Sequence, residues 1–130
     1  IKEHKWQDCV SLIKRMPYKD ATEKMREAHA LLLIATVPMN YYAVPAKTFE
    51  YLVVNTNILC LTGDSATADL FKDVGCGFLA NPHDINEIKN RIIDMYNEWS
   101  SPENHSDIGI NIKEYERNNQ TKRLAEFISN

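Results

Sequence analysis

The chain has no long apolar run. Its longest, around residues 30–35 and 51–54, fall far short of the roughly 20 residues that a helix needs to cross a bilayer, and no signal-peptide pattern is read in it. Charge of one sign is not gathered anywhere. Fifteen Lys and Arg against 18 Asp and Glu leave a formal charge of −3, with the basic residues scattered singly. That removes the electrostatic case for nucleic acid or anionic membrane as the main partner. The three cysteines, Cys9, Cys60 and Cys76, form no Cys-x-x-Cys pair. An odd count without that spacing argues for small buried residues in a reducing compartment rather than a disulfide or a metal site. His4, His29, His83 and His105 are dispersed, so no metal is expected. Only four glycines are present, and the dinucleotide fingerprint G-x-G-x-x-G is missing. Ser65 has no nucleophile elbow around it.

What remains is the composition of an ordinary globular domain. At 130 residues, 44% hydrophobic and 25% charged, the chain supports one core and one domain spanning 1–130. It opens on Ile1, and residues 1–7 read like the tail of an earlier segment. A piece of a longer protein is therefore expected.

Hydrophobic patterning predicts alternating strands and helices. Residues 9–13 form a short apolar run with β-branched character and read as a strand. Asp20 and Glu23 have the spacing of a capping box, opening a helix with Ala21, Met25 and Ala28 on its apolar face. Residues 31–35 are apolar without alternation, as in a strand covered on both faces in the middle of a parallel sheet. Residues 38–44 read as a loop. Pro45 then starts a helix expected to turn Phe49, Leu52 and Val53 inward and to end near Asn55. Residues 58–61 are the next strand. Thr62-Gly63-Asp64-Ser65 caps a helix reaching Phe71, with Gly75 as a left-handed stop, and residues 77–80 form a short strand. Asp84 and Glu87 make a second capping box before a stripe of Ile85, Ile88, Ile92, Met95 and Trp99, read as core. The end of the chain, from Ile112, is expected to be helical, anchored by Tyr115, Leu124, Phe127 and Ile128, with Asn118 and Asn119 as a candidate break.

This order implies right-handed βαβ crossovers and a parallel sheet with helices on both sides, a three-layer Rossmann-like α/β fold. Ligands of such sheets bind beyond the carboxyl ends of the strands, beside helix N-termini. The segment Val44-Pro45-Ala46-Lys47-Thr48-Phe49-Glu50 stands out there. A helix N-terminus favours a phosphate. Lys47 is unfavourable in that first turn unless an anion offsets it, and Glu50, one turn deeper, could accept hydrogen bonds from the hydroxyls of a ribose. A surface Lys and Glu on a solvated helix would carry the same letters.

The segment Pro45-Ala46-Lys47-Thr48-Phe49-Glu50-Tyr51-Leu52, followed by Asn57-Ile58-Leu59, resembles the P-x-K-x-F-E-Y-L … P-I-L signature of bacterial glycosyltransferases, the family 4-like enzymes of GT-B fold. Met16-Pro17-Tyr18, the strand with Ala30-Leu31-Leu32-Leu33, Ser65-Ala66-Thr67-Ala68 up to Gly75-Cys76-Gly77, and Tyr115-Glu116-Arg117 are similar to further stretches of that family, so the likeness runs along nearly the whole chain. It implies the C-terminal, donor-binding half of such an enzyme. The first strand of that domain and the N-terminal acceptor domain would lie outside the sequence. A nucleotide-sugar donor, UDP- or GDP-linked, would be the substrate, in cytoplasmic synthesis of surface polysaccharide, with peripheral membrane association of the full enzyme left open. No metal or other cofactor is implied, and the fragment alone is expected to be inactive.

Carried over residue by residue, the resemblance implies that Glu50 holds the donor ribose. Pro45, Ala46, Lys47 and Thr48 would lie at the phosphates, and Arg15, Met16 and Pro17 in the loop bordering the base. The family's E-x7-E pattern is broken. Eight positions before Glu50 stands Tyr42, where the family has the glutamate nearest the transferred sugar. Lys14 or Arg15 also replaces the glycine usual after the first strand read here. Two alternatives stay open: a non-catalytic α/β binding module descended from a transferase half, and a sugar-nucleotide epimerase-like domain.

Overall fold

The computed structural model describes residues 9–35, 41–101 and 112–129. Three strands, β1 (Ala30–Ala35), β2 (Asn57–Thr62) and β3 (Phe78–Ala80), form a parallel sheet in the order β1-β2-β3. Helix α1 (Tyr18–Glu27) leads into β1, α2 (Ala46–Val54) joins β1 to β2, and α3 (Ala66–Val74) joins β2 to β3. Helix α4 (Ile85–Ser100) follows β3. A 3₁₀ turn at Ile112–Tyr115 precedes α5 (Arg117–Ser129). The α/β alternation expected from the sequence is present.

The register sorts the side chains into two faces. Leu31 lies beside Ile58, Leu33 beside Cys60 and Ala35 beside Thr62. All six belong to the face on which the core forms with Leu52 of α2 and Leu70, Phe71 and Val74 of α3. Leu32 beside Leu59 and Ile34 beside Leu61 belong to the other face, where Met95 of α4 is buried.

Helix α4 lies against β2 and β3 and leaves β1 open on that side. Leu32 and Ile34 are consequently 52% and 61% exposed. The unbroken apolar run predicted a strand covered on both faces, and this is corrected: among the described residues β1 is an edge strand covered on one. The α4 stripe shares the correction. Met95 is buried, but Ile85, Ile92 and Trp99 are exposed, Ile92 and Trp99 beside the uncovered face of β1.

Helix ends follow local chemistry. The Ser65 hydroxyl accepts the Ala68 amide and caps α3, while Asp84 accepts the Asn86 and Glu87 amides and caps α4. Glu87 closes its box on the Asn81 amide at 2.8 Å rather than on Asp84. Asn55 ends α2 and Gly75 ends α3 in the left-handed region. Asp20 caps nothing. Pro17, fixed at φ −56, is the N-cap of α1, and Asp20 falls inside the first turn.

Further expectations change. Residues 9–13 are not a strand: beyond a turn at Cys9 they are irregular, with Leu12 83% exposed. A short run without a ladder partner cannot satisfy its backbone groups as a strand. Helix α2 buries Thr48 and Leu52, four residues apart, while Phe49 and Val53 face outward. Helix α3 runs past Phe71 to Val74, up to the expected stop at Gly75. Asn118 and Asn119 lie inside α5, the break falling earlier, at Glu116. Leu124, Phe127 and Ile128 anchor nothing there and are exposed, whereas Tyr115 packs against the core. Most of the loop expected at residues 100–109 lies outside the described residues, as do residues 38–40 of the loop before Pro45.

Candidate functional site at the carboxyl end of the sheet

In a parallel sheet each connecting helix runs back against its strands, so it starts where the preceding strand ends. Helix α2 therefore begins at the carboxyl end of β1. Its N-cap is Pro45, at φ −58 and ψ 138, and no side chain caps it. The Thr48 amide donates to the Pro45 carbonyl at 2.9 Å, closing the first turn. Ala46 and Lys47 are exposed at that tip, and no acidic residue stands in the first turn. Such an end carries a partial positive charge from its free amides.

Thr48 turns the other way. It is 0% exposed and its hydroxyl has no hydrogen-bond partner among the described residues. Its amide is already engaged. Of the segment the sequence singles out, Ala46 and Lys47 thus present polar groups outward, and Thr48 forms part of the interior. Glu50 is half-buried one turn into the helix. Among the described residues neither its carboxylate nor the Lys47 ammonium enters a hydrogen bond or ion pair. A half-buried carboxylate without a donor is poised to accept hydrogen bonds from outside the chain.

Helix α1 precedes β1. Its tip is proline-led and uncapped as well, and it packs beside α2. Arg15, Met16 and Pro17 lie in the stretch that leads into α1. Arg15 and Pro17 are exposed and Met16 half-buried. No hydrogen bond or ion pair among the described residues joins them to the α2 tip.

The loop after β1 is tied to the helix after β2. The Ala66 amide, at the start of α3, donates to the Tyr41 carbonyl at 3.0 Å. Tyr41 and Tyr42 meet edge to face, with ring centroids 4.6 Å apart and planes at 81°. Tyr42 is 90% exposed. Sequence reasoning marks Tyr42 but misses Tyr41, whose part is played by a backbone carbonyl that no side-chain pattern reveals.

An apolar groove lies elsewhere. A cavity of about 310 Å³ sits at the amino end of the strands, lined by His29, Leu32, Leu59, Met95, Tyr96 and Trp99 among others. His29 meets Trp99 edge to face at 5.0 Å, which is a packing role. Groove size is a weaker guide to function here than unengaged polar groups, because the groove is the consequence of the uncovered face of β1. Among the described residues no three His, Cys, Asp or Glu side chains cluster to hold a metal ion. Among the described residues no helix is long and apolar enough to cross a membrane.

These features define an α/β domain with an uncapped helix tip and a free carboxylate at the carboxyl end of parallel strands. The chain matches no protein-family model, no curated protein and no solved structure.

Proposed function

We propose that the chain is the nucleotide-sugar-binding domain of a GT-B glycosyltransferase, three-layered and Rossmann-like, acting in the cytoplasm on a UDP- or GDP-linked sugar for surface polysaccharide synthesis. The observation that carries this reading is the α2 tip: uncapped, carrying the exposed Lys47, with the unengaged Glu50 carboxylate one turn deeper. Glycosyl transfer builds negative charge on the departing diphosphate. Helix amides and a lysine counter that charge without a metal. The Ala46 and Lys47 amides bind the phosphates, the Lys47 ammonium adds charge, and Glu50 accepts the ribose hydroxyls. Arg15, Met16 and Pro17, just before α1, border the base. An acceptor-binding domain would complete the cleft.

The test is calorimetric titration with UDP, GDP and their sugars, repeated on Lys47→Ala and Glu50→Gln. Each variant is expected to weaken binding about tenfold, the loss of one charge-assisted contact. Affinity unchanged in both would sink the reading. A non-catalytic interaction module is the second reading, favoured by one observation: the exposed apolar residues Leu32, Ile34, Leu124, Phe127 and Ile128 are of the kind partners cover. Absence of any nucleotide response at millimolar concentration would favour that module.

A further inference from the structure

Among the described residues two apolar surfaces are left uncovered, and they are rooted on opposite sides of the sheet. The first is the groove of about 310 Å³ beside the open face of β1, walled by Leu32, Ile92, Tyr96 and Trp99 among others. The second is the end of α5. Asn119 donates to the Lys113 carbonyl at 2.6 Å, and Arg123 pairs with Glu114 at 3.7 Å. These contacts fasten the first two turns of α5 to the 3₁₀ turn before it. Beyond them Leu124, Phe127 and Ile128 follow one another at i, i+3 and i+4, and all three are exposed, Phe127 by 82%. Side chains at that spacing share one helix face, the pattern by which an amphipathic helix enters a groove. The helix does not fill the groove of its own chain. Its 3₁₀ root packs by Ile112 and Tyr115 against the core on the α2 and α3 side, whereas the groove opens on the α4 side.

We propose that a second copy of this chain covers both surfaces, each copy laying the Leu124, Phe127 and Ile128 face of α5 into the groove of the other. The proposal stands independently of the donor-binding reading. Size supports it: the three anchors and the groove walls expose on the order of 800 Å² per copy, which is what one partner of a stable complex contributes. Charge supports it as well. The last two turns of α4, which hold Tyr96 and Trp99, carry Asp94 and Glu98 and no base. Arg91 reaches Asp94 at 3.1 Å, while Glu98 enters no ion pair among the described residues. Helix α5 carries Arg117, Lys122 and Arg123 against Glu126. A basic helix thus meets an acidic rim, which favours this docking over others. The exchange is reciprocal, so both contacts form together and the assembly closes as a twofold dimer. An unrelated partner would have to bring a helix and a groove; a second copy has both.

The experiment is sedimentation of the chain across a concentration series, in a Trp6→Phe background that leaves Trp99 as its one tryptophan. A dimer is expected at micromolar concentration, and Trp99 emission should move to the blue as it forms, because the groove sheds its water. Phe127→Ala should weaken the dimer about thirtyfold, and Phe127→Glu should leave a monomer. Ile92→Glu, on the groove side, should also be monomeric, with the more exposed Tyr96→Glu as a second groove variant. Mixing the Phe127→Glu chain with either groove variant should restore association, through the one intact helix and the one intact groove. Melting of the monomers shows that each variant is folded. A monomer at every concentration, with Trp99 emission unchanged, overturns the proposal. So does a dimer that Phe127→Glu leaves intact, or a mixture that restores nothing, since the dimer would then be built on like surfaces. A monomer whose Trp99 emission moves to the red on Phe127→Glu overturns it too, because the helix would be filling the groove of its own chain.

Discussion

The hydroxyls of Thr62 and Ser65 lie 2.8 Å apart in a buried hydrogen bond, joining the last residue of β2 to the N-cap of α3. Ser65 also accepts the Ala68 amide at 3.2 Å, and Thr62 lies within 3.1 Å of the Gly63 carbonyl as a donor. One serine thus caps a helix and holds the turn that aims it. Ser65→Ala removes both bonds in a buried setting and is expected to cost about 2 kcal/mol. Urea unfolding reads that directly. A loss below a few tenths would mean that the turn holds without its cap.

Gly75 and Gly77 both have positive φ, at 71° and 78°, but they answer to different constraints. A Cβ on Gly75 meets nothing within 4 Å, whereas one on Gly77 falls 2.8 Å from the Phe71 ring and 3.2 Å from the Ile58 carbonyl. Gly75→Ala is expected to cost about 1 kcal/mol, the left-handed penalty alone. Gly77→Ala adds overpacking against a fully buried aromatic and should cost about 3 kcal/mol. Gly75→Asn, which tolerates the left-handed region, should fall below both. Paired urea curves decide the order, and equal costs would mean that Phe71 moves aside freely.

The elements whose signal was local were legible in the sequence. Asp84 and Ser65 cap where their letters say, and Gly75 stops a helix as a glycine there should. What was not legible depends on neighbours. The apolar letters of residues 9–13 resemble those of β1, yet a strand exists only beside another strand, and no sequence window records that. Helix α2 was read one residue out of phase because hydropathy ranks Phe49 above Thr48, while the helix packs by its Thr48–Leu52 ridge. At the candidate site Lys47 is exposed and Glu50 half-buried, whereas Thr48 lies inside, since the same rotation takes it there. Tyr41 was invisible because its carbonyl, not its ring, makes the tie to α3.

Thr48 makes a further expectation possible. Its hydroxyl is fully buried without a partner, as is that of Thr67 in the first turn of α3. An unpaired buried hydroxyl costs more than the methyl of the same shape, and Val and Thr have similar helix propensities. Thr48→Val should therefore stabilise the chain by about 1 kcal/mol. It should leave nucleotide affinity unchanged, because the hydroxyl does not reach the surface of the α2 tip. A variant that folds as well but binds nucleotide more weakly would place the hydroxyl at the ligand after all.

The three cysteines give an expectation in pH. Cys60 and Cys76 are buried in the core, and burial pushes their thiols up to about 12 and about 11 from an ordinary 9.0. Cys9 is exposed. In the folded chain the two buried thiols keep their protons above pH 9, whereas in the unfolded chain they release them. The unfolded state then binds fewer protons, so stability must fall with rising pH. The contribution is whole below about pH 9 and is lost as the pH climbs through the folded values of about 11 and about 12. Replacing both with Ala should flatten that part of the stability curve at some cost in packing. Thiol labelling of the native chain at pH 8 should modify Cys9 alone, with Cys60 and Cys76 reacting only as the protein unfolds, since burial withholds both access and thiolate. Labelling of Cys60 at the rate of Cys9 under native conditions would mean that β2 is not the centre of the sheet, and the carboxyl-end site built on that sheet would go with it.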